Sequence, residues 1–214
     1  MYDIILFDLD GTLTDSGKGI INSVEYALNK FSIKVDEKSK LNKFIGPPLS
    51  QSFMDFYGFS QEDAVKAVEF YREYYRDKGI YENEVYDGIE NLLIRLKENG
   101  KTMAVATSKP EVFAKQILDY FDLSKYFTYI GGSHLDGNRT DKAQVIDYVL
   151  NKIGYSDKSK VLMIGDREHD IIGAEKNGID SAGVLFGYGS IEELKNAGAT
   201  HICKSVEDII KIAI

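Results

Sequence analysis

The chain opens with an apolar run, Ile4-Ile5-Leu6-Phe7, that stops at two acids one residue apart, Asp8 and Asp10, followed by Gly11, Thr12, Leu13, Thr14 and Asp15. A short uninterrupted apolar run bounded by turn residues predicts a strand buried on both faces, as in a parallel sheet. Such a sheet is covered by helices on both sides, and its ligands lie outside the carboxyl ends of its strands. Asp8 and Asp10 therefore fall where a ligand is expected. Two carboxylates this close repel each other unless a cation or a shared proton lies between them. The pattern suits a nucleophile and an acid/base gathered around a divalent metal.

From residue 87 onward, helical and strand patterns alternate. Helices are predicted over 88–99, 111–121, 142–153 and 171–177, and strands over 102–106, 129–131, 161–164 and 181–185. Two short units, 191–197 into 200–203 and then 206–212, finish the chain. Strands alternating with helices imply right-handed βαβ units and a parallel sheet, an α/β fold. The stretch between the first strand and residue 100 breaks this rhythm. It shows helical spacing over 16–31, with Ser16 as a candidate cap, then over 49–57 and 60–78, with a short helix within 34–43 and a rigid break at Gly46-Pro47-Pro48. An inserted helical domain explains it: a core of 1–15 and 84–214, and an insert of 16–83 with hinges near 14–15 and 83–87. The aromatic residues of the insert, among them Phe53, Phe56, Phe70 and Tyr74, are expected to pack helix against helix.

Composition narrows the class. The chain has 214 residues, 43% of them hydrophobic and 28% charged, with 26 basic against 34 acidic side chains and a formal net charge of −8. No basic stripe marks a nucleic-acid or membrane-surface binder. Cys203 is the single cysteine, so no intrachain disulfide forms. With no signal core and no long apolar span, a cytoplasmic protein is expected, a monomer or homodimer.

The later strands also end in polar groups. Ala104-Val105-Ala106 runs into Thr107-Ser108-Lys109, Val161-Leu162-Met163-Ile164 runs into Gly165-Asp166 with Asp170 four residues on, and Lys142 opens a helix nearby. All should gather along one edge of the sheet. The set suits phosphoryl transfer. Asp8 attacks phosphorus and forms an acyl-phosphate. Asp10 protonates the leaving oxygen and then deprotonates water. Mg²⁺, which favours a few carboxylates plus waters and phosphate oxygens, would be held by Asp8, the main-chain carbonyl of Asp10, and Asp166. Thr107 and Lys142 would hold the phosphate oxygens, and Gly11 would let the backbone approach them. Rival motifs fail on spacing: Gly11…Gly17-Lys18-Gly19 has five residues between its first two glycines where a P-loop has four, and lacks the Ser/Thr that would hold Mg²⁺. His134, His169 and His201 lack metal-ligand spacing, although His169 lies inside the Asp166–Asp170 loop.

Asp8-Leu9-Asp10-Gly11-Thr12-Leu13, Thr107, Lys142 and Gly165-Asp166-x-x-x-Asp170 resemble, in order, the four motifs of the haloacid dehalogenase superfamily. Tyr86-Asp87-Gly88-Ile89, Ala106-Thr107-Ser108-Lys109-Pro110 and Gly183-Val184-Leu185-Phe186-Gly187-Tyr188-Gly189 are similar to its phosphoglycolate phosphatase branch. The resemblance implies a Rossmann-like core with an α-helical cap, Mg²⁺, an aspartyl-phosphate intermediate and a small phosphorylated substrate. It adds Asp170 to the metal set, places Thr12 and Ser108 at the phosphate, and makes Pro47 part of a cap loop facing the site. The second acid, Asp10, argues for a phosphatase over a dehalogenase. Two departures stand out: the Gly137–Lys142 loop carries Arg139, and Arg167 follows Asp166 where a small hydroxyl residue is usual. Arg139 is a candidate grip for a carboxylate or a second phosphate. These departures keep a 5′-nucleotidase-like activity open beside the phosphoglycolate one. A β-phosphoglucomutase-like mutase, whose characteristic histidine would fall near Ile20, and a non-catalytic phosphate-binding protein are the remaining alternatives.

Overall fold

The amino-terminal apolar run forms the middle of the main sheet. In the computed structural model, which describes residues 1–214, β1 (Ile4–Phe7) and a two-residue strand, β2 (Thr14–Asp15), precede α1 (Gly17–Lys30), α2 (Leu49–Tyr57) and α3 (Gln61–Asp77). β3 (Glu84–Val85) pairs with β2. Then come α4 (Ile89–Glu98), β4 (Thr102–Pro110), α5 (Glu111–Tyr120), β5 (Tyr129–Ser133), α6 (Lys142–Ile153), β6 (Val161–Gly165) and α7 (Glu168–Asn177). β7 (Asp180–Val184), α8 (Ile191–Asn196), β8 (His201–Cys203) and α9 (Val206–Ala213) complete the chain. No helix is long and apolar enough to cross a membrane.

The main sheet has six parallel strands in the order β5-β4-β1-β6-β7-β8, an α/β fold. The chain builds outward from β1 to β4 and β5, then crosses back to place β6, β7 and β8 on the other side. β1 is therefore the switch point, where a crevice opens at the strand ends. The register fixes what lines that crevice. Phe7 lies opposite Val105 on β4 and Ile164 on β6, so the residues that follow on the three strands come level.

Side-chain alternation divides the sheet's apolar residues between two faces. On one, Ile4, Leu6, Ala104, Ala106, Val161 and Met163 pack with Val145, Ile146, Val149 and Leu150 of α6 and Ala174 of α7. Their neighbours in sequence, Ile5, Phe7, Val105, Leu162 and Ile164, are equally buried and point to the other face.

The chain divides into two units, Met1–Thr14 with Val85–Ile214, and Asp15–Glu84. The second is helical. Its core is formed by Val24, Ala27, Leu28, Leu41, Phe44, Phe53, Ala67, Tyr71 and Tyr75. Its aromatic rings pair mostly between elements: Phe44 meets Phe53 at 5.1 Å, Phe31 meets Phe70 at 5.9 Å and Tyr26 meets Tyr74 at 5.6 Å. Only Tyr71 and Tyr75, stacked at 5.2 Å, form a pair one turn apart on a single helix. These rings serve as packing for the unit.

The structure departs from the sequence pattern at element ends. Residues 38–44 form a 3₁₀ turn rather than an α-helix. Ser16 makes no side-chain cap to α1, whereas Ser60 does cap α3, accepting from the Asp63 N–H at 3.1 Å. β4 runs on to Pro110, and α7 begins at Glu168 rather than residue 171 because the Asp170 carboxylate accepts the Arg167 N–H at 3.1 Å. Replacing the fully buried Ile146 by alanine should cost about 2–5 kcal/mol of stability without disturbing the strand-end groups. Urea unfolding should show a lower midpoint with an unchanged slope.

Candidate active site

The sheet places four buried ionic groups at the carboxyl ends of β1 and β6 and at the starts of α6 and α7. Asp8 continues the β1 ladder, its N–H donating to Ile164 O at 2.9 Å. Asp166 follows β6 directly, and Asp170 lies in the first turn of α7. Lys142 is the first residue of α6, a helix held at its start by Asp141, whose carboxylate accepts from the Ala143 and Gln144 N–H groups. The Lys142 ammonium lies 2.9 Å from Asp8 Oδ1 and 2.8 Å from Asp170 Oδ1, and donates to Ala106 O at 3.1 Å. All three of its donors are thus engaged.

Asp8, Asp166 and Asp170 each offer an oxygen within 4.8 Å of the others. Three carboxylates against one ammonium leave two uncompensated negative charges in a buried site. Burial, together with the Asp170 and Asp8 carboxylates, pushes the Asp166 carboxyl well above the usual range, only partly opposed by the Tyr188 N–H and Arg167. Burial also raises Asp170, although Lys142 pulls it back. Burial alone would depress Lys142, but Asp170 and Asp8 hold its ammonium above the ordinary lysine value. An all-oxygen donor set with this charge deficit fits a hard divalent cation.

Close backbone approach holds the set in place. Gly11 has φ +79°, and a Cβ there would lie 2.2 Å from Asp166 Oδ2. A Cβ on Gly187 would lie 2.2 Å from Gly11 O and 2.5 Å from Asp166 Cβ. The loop carrying Gly187 also brings the Tyr188 N–H to Asp166 Oδ2 at 2.8 Å. Thr12 Oγ1 lies 3.4 Å from Asp166 Oδ1.

Asp10 lies apart from this cluster in its partners. Its Oδ1 is 3.0 Å from Lys109 Nζ, with both side chains largely buried. Thr107, 1% exposed, accepts the Lys109 N–H at 3.2 Å on its hydroxyl and keeps its proton for another acceptor. Ser108 sits at the same strand end, half-buried.

Other candidates lie elsewhere. Arg139 is engaged by its own neighbours, with Glu111 Oε2 at 3.5 Å. Its guanidinium donates twice to Gly132 O, at 2.9 and 2.7 Å, and stacks 3.6 Å from the centre of the Tyr148 ring. Arg167 Nε donates to Glu193 Oε1 at 2.8 Å, which ties it to α8. His169 is half-exposed on α7, and His201 meets the Tyr2 hydroxyl at 2.9 Å. Pro47 belongs to the helical unit, between its 3₁₀ turn and α2. Sequence reasoning assigned no role to Lys109 or to the Gly187-Tyr188 backbone. The signal for the second was present in Gly187-Tyr188-Gly189, two glycines around one residue after a buried strand.

Residues 5–184 match the family model of the haloacid dehalogenase-like hydrolases. The chain is 48% identical to a 5′-nucleotidase of Pseudomonas aeruginosa over 94% of its own length and 91% of that protein. It is 37% identical to the tyrosine-protein kinase PtkA of Mycobacterium tuberculosis over 92% of this chain and 67% of that one. It is 29% identical to phosphoglycolate phosphatase 1 of Pseudomonas aeruginosa over 98% and 79%. A crystal structure of a "predicted phosphatase" from Clostridium acetobutylicum superposes with a TM-score of 0.96 at 54% identity, covering 99% of this chain and 98% of that one.

The raised carboxyls of Asp166 and Asp170 have a thermodynamic consequence. A folded-state pKa above the unfolded value of about 3.9 means that stability is lost as pH rises through the raised value. A divalent cation favours the ionised forms and removes that loss. The increase in Tm on adding saturating MgCl₂ should therefore grow as pH rises above the unfolded carboxyl value of about 3.9. Thermal scans giving an increment independent of pH would contradict this charge balance.

Proposed function

Because the chain belongs to the haloacid dehalogenase-like hydrolases and is a phosphatase of that family, we propose that it hydrolyses a small phosphomonoester in two steps, assisted by Mg²⁺, through a phosphorylated Asp8. The observation that carries this reading is the separation of two acids on one strand end. Asp8 shares Lys142 with Asp170, whereas Asp10 is paired with Lys109. Two carboxylates in different surroundings suit two roles.

In the first step Asp8 Oδ attacks phosphorus, the bond from phosphorus to the ester oxygen breaks, and the Asp10 carboxyl gives its proton to the departing alkoxide. In the second, water attacks the same phosphorus, Asp10 takes its proton, and the bond to Asp8 breaks to release phosphate. The Thr107 hydroxyl holds an equatorial phosphoryl oxygen, and the nearby Lys142 ammonium offsets the charge that builds there. Asp8, Asp166 and Asp170 would hold Mg²⁺, which supplies further charge neutralisation at the phosphoryl oxygens when bound.

The leaving group favoured is a nucleoside. The relative named 5′-nucleotidase is 48% identical over nearly all of both chains, against 29% for the one named phosphoglycolate phosphatase. The kinase name of another relative points to transfer onto a phenol instead of water. Release of inorganic phosphate with no protein substrate present separates the two.

With Mg²⁺, wild-type protein should hydrolyse p-nitrophenyl phosphate and should prefer nucleoside 5′-monophosphates to phosphoglycolate by about tenfold or more in kcat/KM, a difference of about 1.4 kcal/mol. The opposite preference would overturn the nucleotide reading. Asp8→Asn should lower turnover by about 10⁴-fold or more with an unchanged circular dichroism spectrum. Substantial residual turnover would remove Asp8 as the nucleophile.

A further inference from the structure

We propose that Lys109 is a positioning residue for the proton shuttle, holding the Asp10 carboxyl where the leaving oxygen departs. The inference rests on the role of Asp10 given above and adds to it. Lys109 stands near the end of β4, where the pairing with β5 shifts register between Ala106 and Pro110. Such an irregularity turns side chains out of strict alternation. The Lys109 N–H is fixed by the Thr107 hydroxyl at 3.2 Å, so the backbone that carries the lysine is anchored by a phosphate-site residue. The side chain then reaches the neighbouring β1 end, where Nζ lies 3.0 Å from Asp10 Oδ1.

The burial makes this contact informative. The Lys109 side chain is 6% exposed and the Asp10 side chain 11%. An ammonium is kept from water only when a partner compensates for lost hydration. The site's two buried lysines take three of its four carboxylates: Lys142 takes Asp8 and Asp170, and Lys109 takes Asp10. Without Lys109, Asp10 is freed to swing on its Cα–Cβ bond. General acid catalysis depends on hydrogen-bond reach to the atom that receives the proton. A carboxyl held by one oxygen presents the other in a fixed direction, and small errors in such placement are costly.

The step affected is specific. As the bond from phosphorus to the ester oxygen breaks, its electron pair stays on that oxygen, and the Asp10 proton neutralises it. A p-nitrophenolate leaves without needing a proton, whereas a phenolate, about as basic as a tyrosinate at pKa about 10, benefits from one. kcat/KM for the two esters covers only the steps through leaving-group departure, so slow breakdown of the phosphorylated enzyme does not obscure the comparison.

The test measures kcat/KM for phenyl phosphate and p-nitrophenyl phosphate, with Mg²⁺, in wild type, Lys109→Met, Lys109→Arg and Asp10→Asn. Lys109→Met should lose about 10²-fold on phenyl phosphate and far less on p-nitrophenyl phosphate, the scale of a displaced general acid. Asp10→Asn should show the same skew, and Lys109→Arg, which keeps the ion pair, should recover part of it. Equal losses on both esters in Lys109→Met, with the skew intact in Asp10→Asn, would overturn the proposal and leave Lys109 a phosphate-binding or structural residue. Absence of the skew in Asp10→Asn would instead remove the Asp10 assignment, and this inference with it. Should Lys109→Met not fold, Lys109→Gln takes its place and is read in the same way: a loss much larger on phenyl phosphate supports the positioning role, and equal losses on both esters overturn it.

Discussion

Three carboxylates and one ammonium, buried together at the switch point of a parallel sheet, set the terms for the rest of this molecule. The Lys142 ammonium spends its donors on Asp8, Asp170 and Ala106 O, and Asp166 is met by the Tyr188 N–H and the Thr12 hydroxyl without an ion pair of its own. Such a cluster is unfavourable by itself: the acid burial shows in the raised carboxyls of Asp166 and Asp170. It persists because the surrounding backbone leaves the groups nowhere else to go. β1, β6, the first turns of α6 and α7, and the Gly187-Tyr188 loop all converge on it. A fold that stores uncompensated charge in this way is prepared for a cation and for the negative phosphoryl group that the cation accompanies.

The second constraint is that the acids must not behave alike. Asp8 and Asp10 are two residues apart on one strand end, yet their partners differ completely. Lys142, supplied by a helix start, serves the nucleophile, and Lys109, supplied by an irregular strand end, serves the proton shuttle. The sheet thus separates two neighbouring carboxylates by delivering a different lysine to each from β4 and α6. The loop glycines contribute by letting backbone pass within contact distance of Asp166 where any side chain would displace it.

Much of this was legible in the sequence, for identifiable reasons. The alternation from residue 87 onward gave the sheet because each buried strand is a short apolar run and each helix an amphipathic stripe. The convergence of Asp8, Lys142, Asp166 and Asp170 followed from their positions at strand ends and helix starts, which a parallel sheet brings to one edge. What escaped notice depended on geometry that periodicity does not encode. The paired strands β2 and β3 have two residues each, too few for a pattern. The start of α7 is set by one Asp170 hydrogen bond. A loop arginine in isolation resembles a ligand grip, and the contacts Arg139 makes with Gly132 O and the Tyr148 ring arise only once the loop is folded. The Lys109–Asp10 pair was hidden because it joins different strands across a break in register.

The central claim is that Asp8 carries the phosphoryl group between the two steps. Rapid quenching of the enzyme during turnover of p-nitrophenyl phosphate, followed by borohydride reduction and peptide mass spectrometry, tests it directly. An acyl-phosphate on Asp8 is reduced to homoserine, and the account predicts that conversion in the peptide containing Asp8 and nowhere else. Turnover at full rate with Asp8 recovered unmodified, or with the label on another side chain, would contradict it.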